Sequence, residues 1–533
     1  MKMAFQLRAL LPLASRQYRV ICLGHQTLAR CNHQQSKEAH LEIEPPYGYV
    51  INEDGDLKRS KDTLGLNRIG FVRLPDELEN ALQLFYKRQP RKRLTQDGQQ
   101  IHRHLLNRGR PVHNTWKKFK EEQRAKSARR VDVKNFSVDE AVEEGLVDDT
   151  DTDDPLSVTE EDNHDQNEAE VDSNQRQQTK KKPQLTQYSM IRYGSRESAA
   201  YTASQPPAVY GATLRAFNEI KRLAPDYQPR TMLDFGSGTG MSVWAGNSTW
   251  GDSIKEYQCV DVSDHMNDIA EFLLRGGSSK IEDPLVIPGV YFKKFLPLSN
   301  RIMYDVVVAA YSLTEMPFRQ QRLQAIKSLW RKTNHFLVLV EPGNNEGFDT
   351  NLLARRYISE DLPKQAADDD SDRFEYDDDL RFDFDYGDLE EDLSGHIFAP
   401  CPHEMVCART FVETRDHPCN FEQKVQLSFA QRNTHLKQYG YYNERFSYII
   451  FKKGEKPDEE MNWTRVLQPI KKRKKHVICE LCCSNGNIEK HILTKKKDPA
   501  IYKAARHCLH WGDMMPLDEA KRPMNIRKPI PPK

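Results

Sequence analysis

Apolar and polar positions follow two rhythms along this chain. In "LPDELENALQLFY", Leu74, Leu78, Leu82 and Leu84 recur at roughly helical spacing, which predicts an amphipathic helix. A longer helical stretch is expected from about Pro207 to Leu223, stopping before Pro225. The rhythm then changes. Short β-branched runs, "TMLDFG", "YQCVDVS", "YDVVVAA" and "HFLVLVEP", alternate with helical stretches. Strand following helix in this way predicts a parallel sheet built from βαβ crossovers. Further on, "RFSYIIFKK" (445–453) and "HVICELCC" (476–483) predict two more strands. There is no internal repeat.

Only 38% of the 533 residues are apolar, so two or three domains are expected together with long solvated segments. The net charge of +1 conceals strong segregation. Lys87 to Arg130 holds fifteen Lys/Arg against three Asp/Glu, whereas Asp139 to Asp172 holds sixteen acids and no Lys or Arg. A second acidic run spans Asp368 to Asp392, and basic runs return at 471–475, 495–497 and in the closing "KRPMNIRKPIPPK". No stretch approaches the roughly 20 apolar residues of a membrane span, so the chain reads as soluble. Its first acid is Glu38, preceded by Lys2, Arg8, Arg16, Arg19, Arg30 and Lys37. An Arg-rich, acid-free, moderately amphipathic start is the composition of a mitochondrial presequence. In that compartment structural disulfides are not expected.

The run "LDFGSGTGMSVWA" puts Asp234 at a strand end and follows it with Gly236, Ser237, Gly238, Thr239 and Gly240 before a helix. Glycines permit a tight turn that brings backbone N–H groups close to a ligand. About twenty residues on, "CVDVSDHM" offers Asp261 to a ribose diol, or alternatively as a helix cap. An acid on the first strand points to S-adenosylmethionine (SAM) rather than a nicotinamide dinucleotide. The expected fold is therefore α/β, a SAM-dependent methyltransferase-like Rossmann fold, with Asp305 opening its fourth strand. Methyl transfer has weaker support. Where base N-methyltransferases carry an Asn/Asp-Pro-Pro-aromatic loop, this chain reads "AAYSLTEMP", and "VLVEPGNNEGF" supplies no cysteine nucleophile. Glu315 and Glu341 are conceivable bases but read equally as structural strand-end acids. No catalytic residue is assigned.

"CPHEMVCARTFVETRDHPC" concentrates Cys401, Cys407 and Cys419 in a polar, loop-like segment. Structural zinc sites usually use cysteines paired two to four residues apart, which these lack. An iron–sulfur cubane takes four thiolates at irregular spacing, often beside proline, and Pro402 and Pro418 stand here. Iron–sulfur, zinc and metal-free burial all remain open. A fourth ligand would come from Cys479, Cys482 or Cys483; on a strand Cys479 and Cys483 share one face and Cys482 the other.

"LDFGSGTG", "AAYSLTEMP", "LVLVEPGNNEGF", "APCPHEMVC", "PCNFEQ", "FSYIIF", "KRKKHVICELC" and "ARHCLHWGD", in this order from about Ala199 to Asp513, resemble the methyltransferase-like protein 17 family. These are assembly factors of the mitochondrial small ribosomal subunit. The resemblance implies a SAM fold that binds a [4Fe-4S] cluster and immature small-subunit rRNA in the matrix, with methyltransferase activity lost. It also implies ribosomal proteins of the assembling subunit as partners. The alternative is an active rRNA methyltransferase. Matched by position, the cluster ligands fall on Cys401, Cys407, Cys419 and Cys482. The two acidic inserts depart from the compact family pattern. The chain then divides into a presequence (1–35), a helical basic region (40–136) and an acidic linker (137–185). A SAM-binding core (186–360), an acidic insert (361–395), an iron–sulfur module with closing strands (396–515) and a basic tail (516–533) follow.

Overall fold

The computed structural model describes residues 49–51, 57–59, 66–67, 69–107, 190–363, 393–411, 417–457 and 462–515, apart from 298, 300 and 498. The expected presequence, the acidic linker, most of the acidic insert and the basic tail lie outside the described residues, as does the basic stretch beyond Asn107.

In chain order, β1 (Tyr49–Ile51) and β2 (Leu57–Arg59) form a two-stranded ribbon. β3 (Phe71–Val72), α1 (Asp76–Lys87) and α2 (Arg91–Asn107) follow, then α3 (Ser195–Ser204) and α4 (Pro206–Leu223). The central alternation is β4 (Thr231–Phe235), α5 (Met241–Trp250), β5 (Glu256–Val260), α6 (Asp264–Leu274), β6 (Val290–Lys293), β7 (Tyr304–Ala310), α7 (Arg319–Arg331), β8 (Thr333–Pro342) and α8 (Asn345–Arg356). Next come β9 (Gly395–Ala399), β10 (Phe421–Gln426) and β11 (Tyr441–Lys453). The chain closes with β12 (Thr464–Val466), β13 (Lys471–Lys472), β14 (His476–Cys482), β15 (Ile488–Thr494), α9 (Pro499–His507) and β16 (Met514–Met515).

The predicted parallel strands form the centre of a nine-stranded sheet of order β3-β10-β11-β8-β7-β4-β5-β6, with β9 also paired to β11. β6, β5, β4, β7 and β8 run parallel, and β11 lies antiparallel beside β8. Parallel strands must be covered on both faces. β7 accordingly buries Val306, Val307, Val308 and Ala309 completely. One face packs on Phe217 and Trp244, the other on Ile326, Trp330 and Leu353. The order reverses between β4 and β7, so their carboxyl ends splay at a topological switch point, where α/β sheets bind ligands.

Two features differ from the domain outline read from the chain. The region from 40 to 136 is not purely helical, because Phe71 and Val72 pair parallel with Lys424 and Val425 on the sheet edge. Its helices are also integral to the core: Leu74 N donates to Gln426 Oε1 at 3.0 Å and Gln99 Nε2 to Ala430 O at 2.9 Å. β9, β10 and β11, all between 395 and 453, complete the large sheet, and only β12 to β16 build a separate five-stranded sheet. The N-terminal joins were hidden because their partners lie far apart in the chain, 352 residues in the case of Leu74 and Gln426. A buried clasp links the two sheets. Arg465 on β12 pairs with Glu219 on α4, which also accepts from Tyr448 Oη at 3.1 Å and from the Asn67 amide.

Candidate functional site: a glycine-loop pocket and a four-cysteine cavity

After β4, Gly236, Gly238 and Gly240 take φ values of 69°, 49° and 78°, the left-handed region that glycine enters freely. A Cβ on Gly236 would come 2.4 Å from Ser312 Cβ, so the loop lies directly against the turn after β7. Gly238 N and Ser263 N donate to the two Asp261 carboxylate oxygens, each at 2.9 Å. The helix cap at α6 is Ser263, whose Oγ accepts from Met266 N at 3.2 Å. Asp261 thus joins the glycine loop to the end of β5 rather than capping the helix. Burial raises its pKa, and the two N–H donors oppose that rise.

Asp234 is 1% exposed, and burial pushes its carboxyl up to about 7, with the Ser242 hydroxyl working against the shift. Neither Asp234 oxygen makes a hydrogen bond of normal geometry, and the same holds for Ser237 Oγ, Thr239 Oγ1 and Ser312 Oγ. A buried polar atom without a partner costs about 1–3 kcal/mol. These five oxygens lie at the glycine loop and at the turn after β7 that it touches.

Next to the turn after β7 lies a cleft bordered by His102, Tyr201, Tyr311, Thr314, Glu315 and Glu444. Tyr311 has a φ of 56°, the one positive value outside glycine among the described residues. Strain of this kind collects at functional turns. Its hydroxyl donates to Glu444 Oε1 at 2.7 Å, and burial pushes the Glu444 carboxyl up to about 7. Glu341 is fully buried and accepts from Leu313 N at 2.9 Å and Thr314 Oγ1 at 2.7 Å. That holds the turn in place and leaves it a structural acid. Glu315 accepts from Tyr193 Oη at 3.3 Å. Asp305 accepts from Arg230 N at 2.7 Å and Thr231 N at 3.1 Å, aligning strand starts at the end of the sheet away from the pocket.

Cys401, Cys407, Cys419 and Cys482 line one cavity, with Arg355 and Arg409. The first three follow β9 and the Ala399–Pro400 cis bond, and Cys482 ends β14 opposite Arg465. Strand alternation separates the remaining candidates: Val477, Cys479, Leu481 and Cys483 face the apolar core of the small sheet. Of the three cysteines left open on this strand, Cys482 is the one at the cavity. Burial raises the thiols of Cys407, Cys419 and Cys482, and each is raised further by Cys401. Arg409 acts in the opposite direction on Cys407 and Cys419. His403 Nε2 lies 3.4 Å from Cys482 Sγ, and burial beside Arg355 lowers its pKa to about 4. Four thiols converging on one cavity can carry a metal-containing group. Among the described residues, only Cys483, Glu489 and His491 bring three donor atoms within 4.8 Å of one another, so the cavity thiols stand further apart. Arg355 and Arg465 had no local signal in the sequence, because each approaches from an element outside the cysteine segment, whereas His403 and Arg409 lie within it.

Residues 195–368 and 385–516, which hold both the glycine loop and the four cysteines, match the family described as "Mitochondrial small ribosomal subunit Rsm22". The chain belongs to the Rsm22 family. It is a mitochondrial protein, as its N-terminal composition predicts. Among known proteins similar to it, the human "Ribosome assembly protein METTL17, mitochondrial" is 38% identical over 321 residues, covering 60% of this chain and 62% of the human protein. The "Ribosome assembly protein RSM22, mitochondrial" of Saccharomyces cerevisiae is 21% identical over 407 residues, covering 56% of this chain and 63% of the yeast protein. In Schizosaccharomyces pombe, "Rsm22-cox11 tandem protein 2, mitochondrial" is 24% identical over 354 residues, covering 60% of this chain and 43% of its own length. The chain therefore spans less than two thirds of each of these Rsm22 relatives. A structure of the plantazolicin methyltransferase BpumL covers 47% of this chain and 86% of its own at 12% identity, with a TM-score of 0.25, too slight an overlap to carry weight.

Proposed function

We propose that this chain assists assembly of the mitochondrial small ribosomal subunit in the matrix by binding its immature rRNA. In this reading it carries a [4Fe-4S] cluster on Cys401, Cys407, Cys419 and Cys482, binds SAM at the glycine loop, and transfers no methyl group. The convergence of four thiols on one cavity carries the reading. A single zinc ion with bonds of about 2.3 Å would hold its sulfurs roughly 3.8 Å apart. No three of the cavity thiols lie within 4.8 Å of one another, and their irregular sequence spacing suits a multi-iron cage. Such a cluster with four thiolates is anionic, and the neighbouring Arg355, Arg409 and Arg465 offset that charge. At the glycine loop, Asp234 suits the ligand's ammonium and Asp261 its ribose diol. Gly236, Ser237, Gly238 and Gly240 supply the tight backbone turn. Exposed Lys471, Lys472, Arg473, Lys474, Lys475, Lys490 and Lys495–Lys497 on the small sheet favour phosphate contacts, which are salt-sensitive and largely independent of sequence. The names of the human and S. cerevisiae relatives point the same way.

Anaerobically purified protein should contain about four iron and four sulfide per chain. Cys482→Ser should lose both and bind small-subunit precursor RNA more weakly, whereas Cys483→Ser should keep its iron. Protein without iron or sulfide would overturn the cluster assignment. The cleft beside Tyr311 favours one second reading, an active rRNA methyltransferase. Labelled methyl transfer to the precursor that Asp261→Ala abolishes would establish it instead.

A further inference from the structure

Cys483 sits next to Cys482 but faces the other way. β14 and β15 form a hairpin closed through Gly486, whose φ is 79°. Cys483 N donates to Asn487 O at 2.9 Å, and Gly486 N donates to Cys483 O at 3.0 Å. Along the ladder Leu481 is opposite Glu489 and Cys479 is opposite His491. Directly opposed residues share a face, as do residues two apart on one strand. Cys483, Glu489 and His491 therefore all project from the face opposite the four-cysteine cavity. Their donor atoms lie within 4.8 Å of one another, and Glu489 Oε2 is 2.8 Å from His491 Nε2. Cys483 is 1% exposed, and the Glu489 and His491 side chains are 20% and 15% exposed. Asn485 Nδ2 donates to Glu489 Oε1 at 3.3 Å, a contact that steadies the carboxylate while its other oxygen faces His491.

We propose that Cys483, Glu489 and His491 form a second metal centre that binds a zinc-class divalent cation. The donor set decides the class of ion. Calcium and magnesium take oxygen ligands, whereas thiolate, imidazole and carboxylate together suit zinc. Zinc bonds of about 2.3 Å to sulfur and about 2.0–2.2 Å to nitrogen and oxygen separate tetrahedral ligands by roughly 3.3–3.7 Å. Reaching this range takes an opening of the 2.8 Å Glu489–His491 contact and a settling of Cys483 Sγ, which now lies within 4.8 Å of both. The partial exposure of these two side chains leaves the fourth position to water. Metal binding would take the proton from the Cys483 thiol, and a divalent cation cancels the repulsion between the thiolate so formed and the Glu489 carboxylate. The placement gives the centre a structural role. Zinc would tie Cys483 to the facing strand, fixing the hairpin end and with it the adjacent Cys482. One stretch of backbone would then hold two metals on opposite faces.

The test uses full-length protein produced with zinc and purified anaerobically. Wild type should hold about one zinc per chain beside its iron. Cys483→Ser and His491→Gln should each weaken zinc affinity at least roughly tenfold, read by competition with a chromophoric chelator, with iron content unchanged. Cobalt(II) added to wild type depleted of zinc but retaining its iron should give a thiolate-to-metal absorption band that Cys483→Ser lacks. This band reports on the folded wild type even if a variant folds poorly. Wild type with neither zinc nor a saturable cobalt band would overturn the proposal. So would zinc content equal in wild type and both variants, the result expected if His491 and Glu489 merely share a hydrogen bond.

Discussion

Removing the guanidinium of Arg465 would test how firmly the small sheet is fastened to the large one. Arg465 and Glu219 are each 3% exposed at the side chain, and Arg465 also donates to Pro400 O at 2.9 Å and Gly512 O at 2.8 Å. Arg465→Met keeps much of the apolar stem. It leaves Glu219 only the Tyr448 hydroxyl and the Asn67 amide. Breaking a buried ion pair from one side costs about 3–5 kcal/mol, and the two orphaned carbonyls raise the loss to roughly 4–7 kcal/mol. At a urea dependence of about 2–3 kcal/mol per molar, the unfolding midpoint should fall by roughly 1.5–3 M. Glu219→Gln combined with Arg465→Met removes the stranded charge and should recover about 2 kcal/mol of that loss. Urea titrations followed by circular dichroism would measure both variants. Absorbance near 400 nm would follow the cavity, because Pro400 precedes Cys401. A midpoint shift below about 0.5 M for Arg465→Met, or a double variant no more stable than the single, would refute the clasp.

Glu444 makes a pH prediction. Burial pushes its carboxyl from 4.5 up to about 7, so the fold favours the neutral acid. Its contribution is complete below about pH 4.5 and lost as pH rises to about 7. Glu444→Gln should flatten part of the stability decline across that window in urea titrations, and an unchanged slope would show that Glu444 contributes nothing there. The raised Asp234 predicts a protonic signature for SAM. A bound ammonium favours the carboxylate, so binding at about pH 7 should release a fraction of a proton. Calorimetric enthalpies would then vary with the buffer's ionisation enthalpy, and Asp234→Asn should remove the variation. Enthalpies independent of buffer in the wild type would contradict the role given to Asp234.

What was legible in the chain was local. The β-branched runs ending in Asp234, Asp261, Tyr311 and Pro342 announced the parallel strands, because strands buried on both faces must be apolar throughout. The glycine loop was legible because only glycine adopts three positive φ values so close together at no cost. Helix α4 lies within a residue of its expected start, since proline can open a helix at little cost. Alternation on β14 correctly put Cys479 and Cys483 on one face, but which face met the cavity depended on the docking of β12, far from any local pattern. Arg465 and Glu219 lie 246 residues apart, and neither carries a mark in the sequence that names the other. The Cys483–Glu489–His491 grouping was legible in principle: acid and histidine two apart on one strand, with a cysteine just past the end of the strand it pairs with. It was eclipsed by the denser cysteine cluster beside it.

The bond from Asn67 N to the Asp513 carboxylate spans 446 residues, and β3 completes the sheet edge only when β10 exists to receive it. A ribosome adding about 5–20 residues per second needs roughly 20–90 s to make that much chain. Phe85 and Tyr86 of α1 wait for Phe272 and Phe429, 187 and 343 residues later in the chain. Synthesis order and folding order are therefore opposed: the first helices made are among the last to find their place. Contacts of such long range also slow folding itself. The nascent chain should thus depend heavily on chaperones that shield α1 and α2. A circular permutant that opens the chain elsewhere and joins the neighbourhoods of residues 66 and 515 would let these helices meet their partners early.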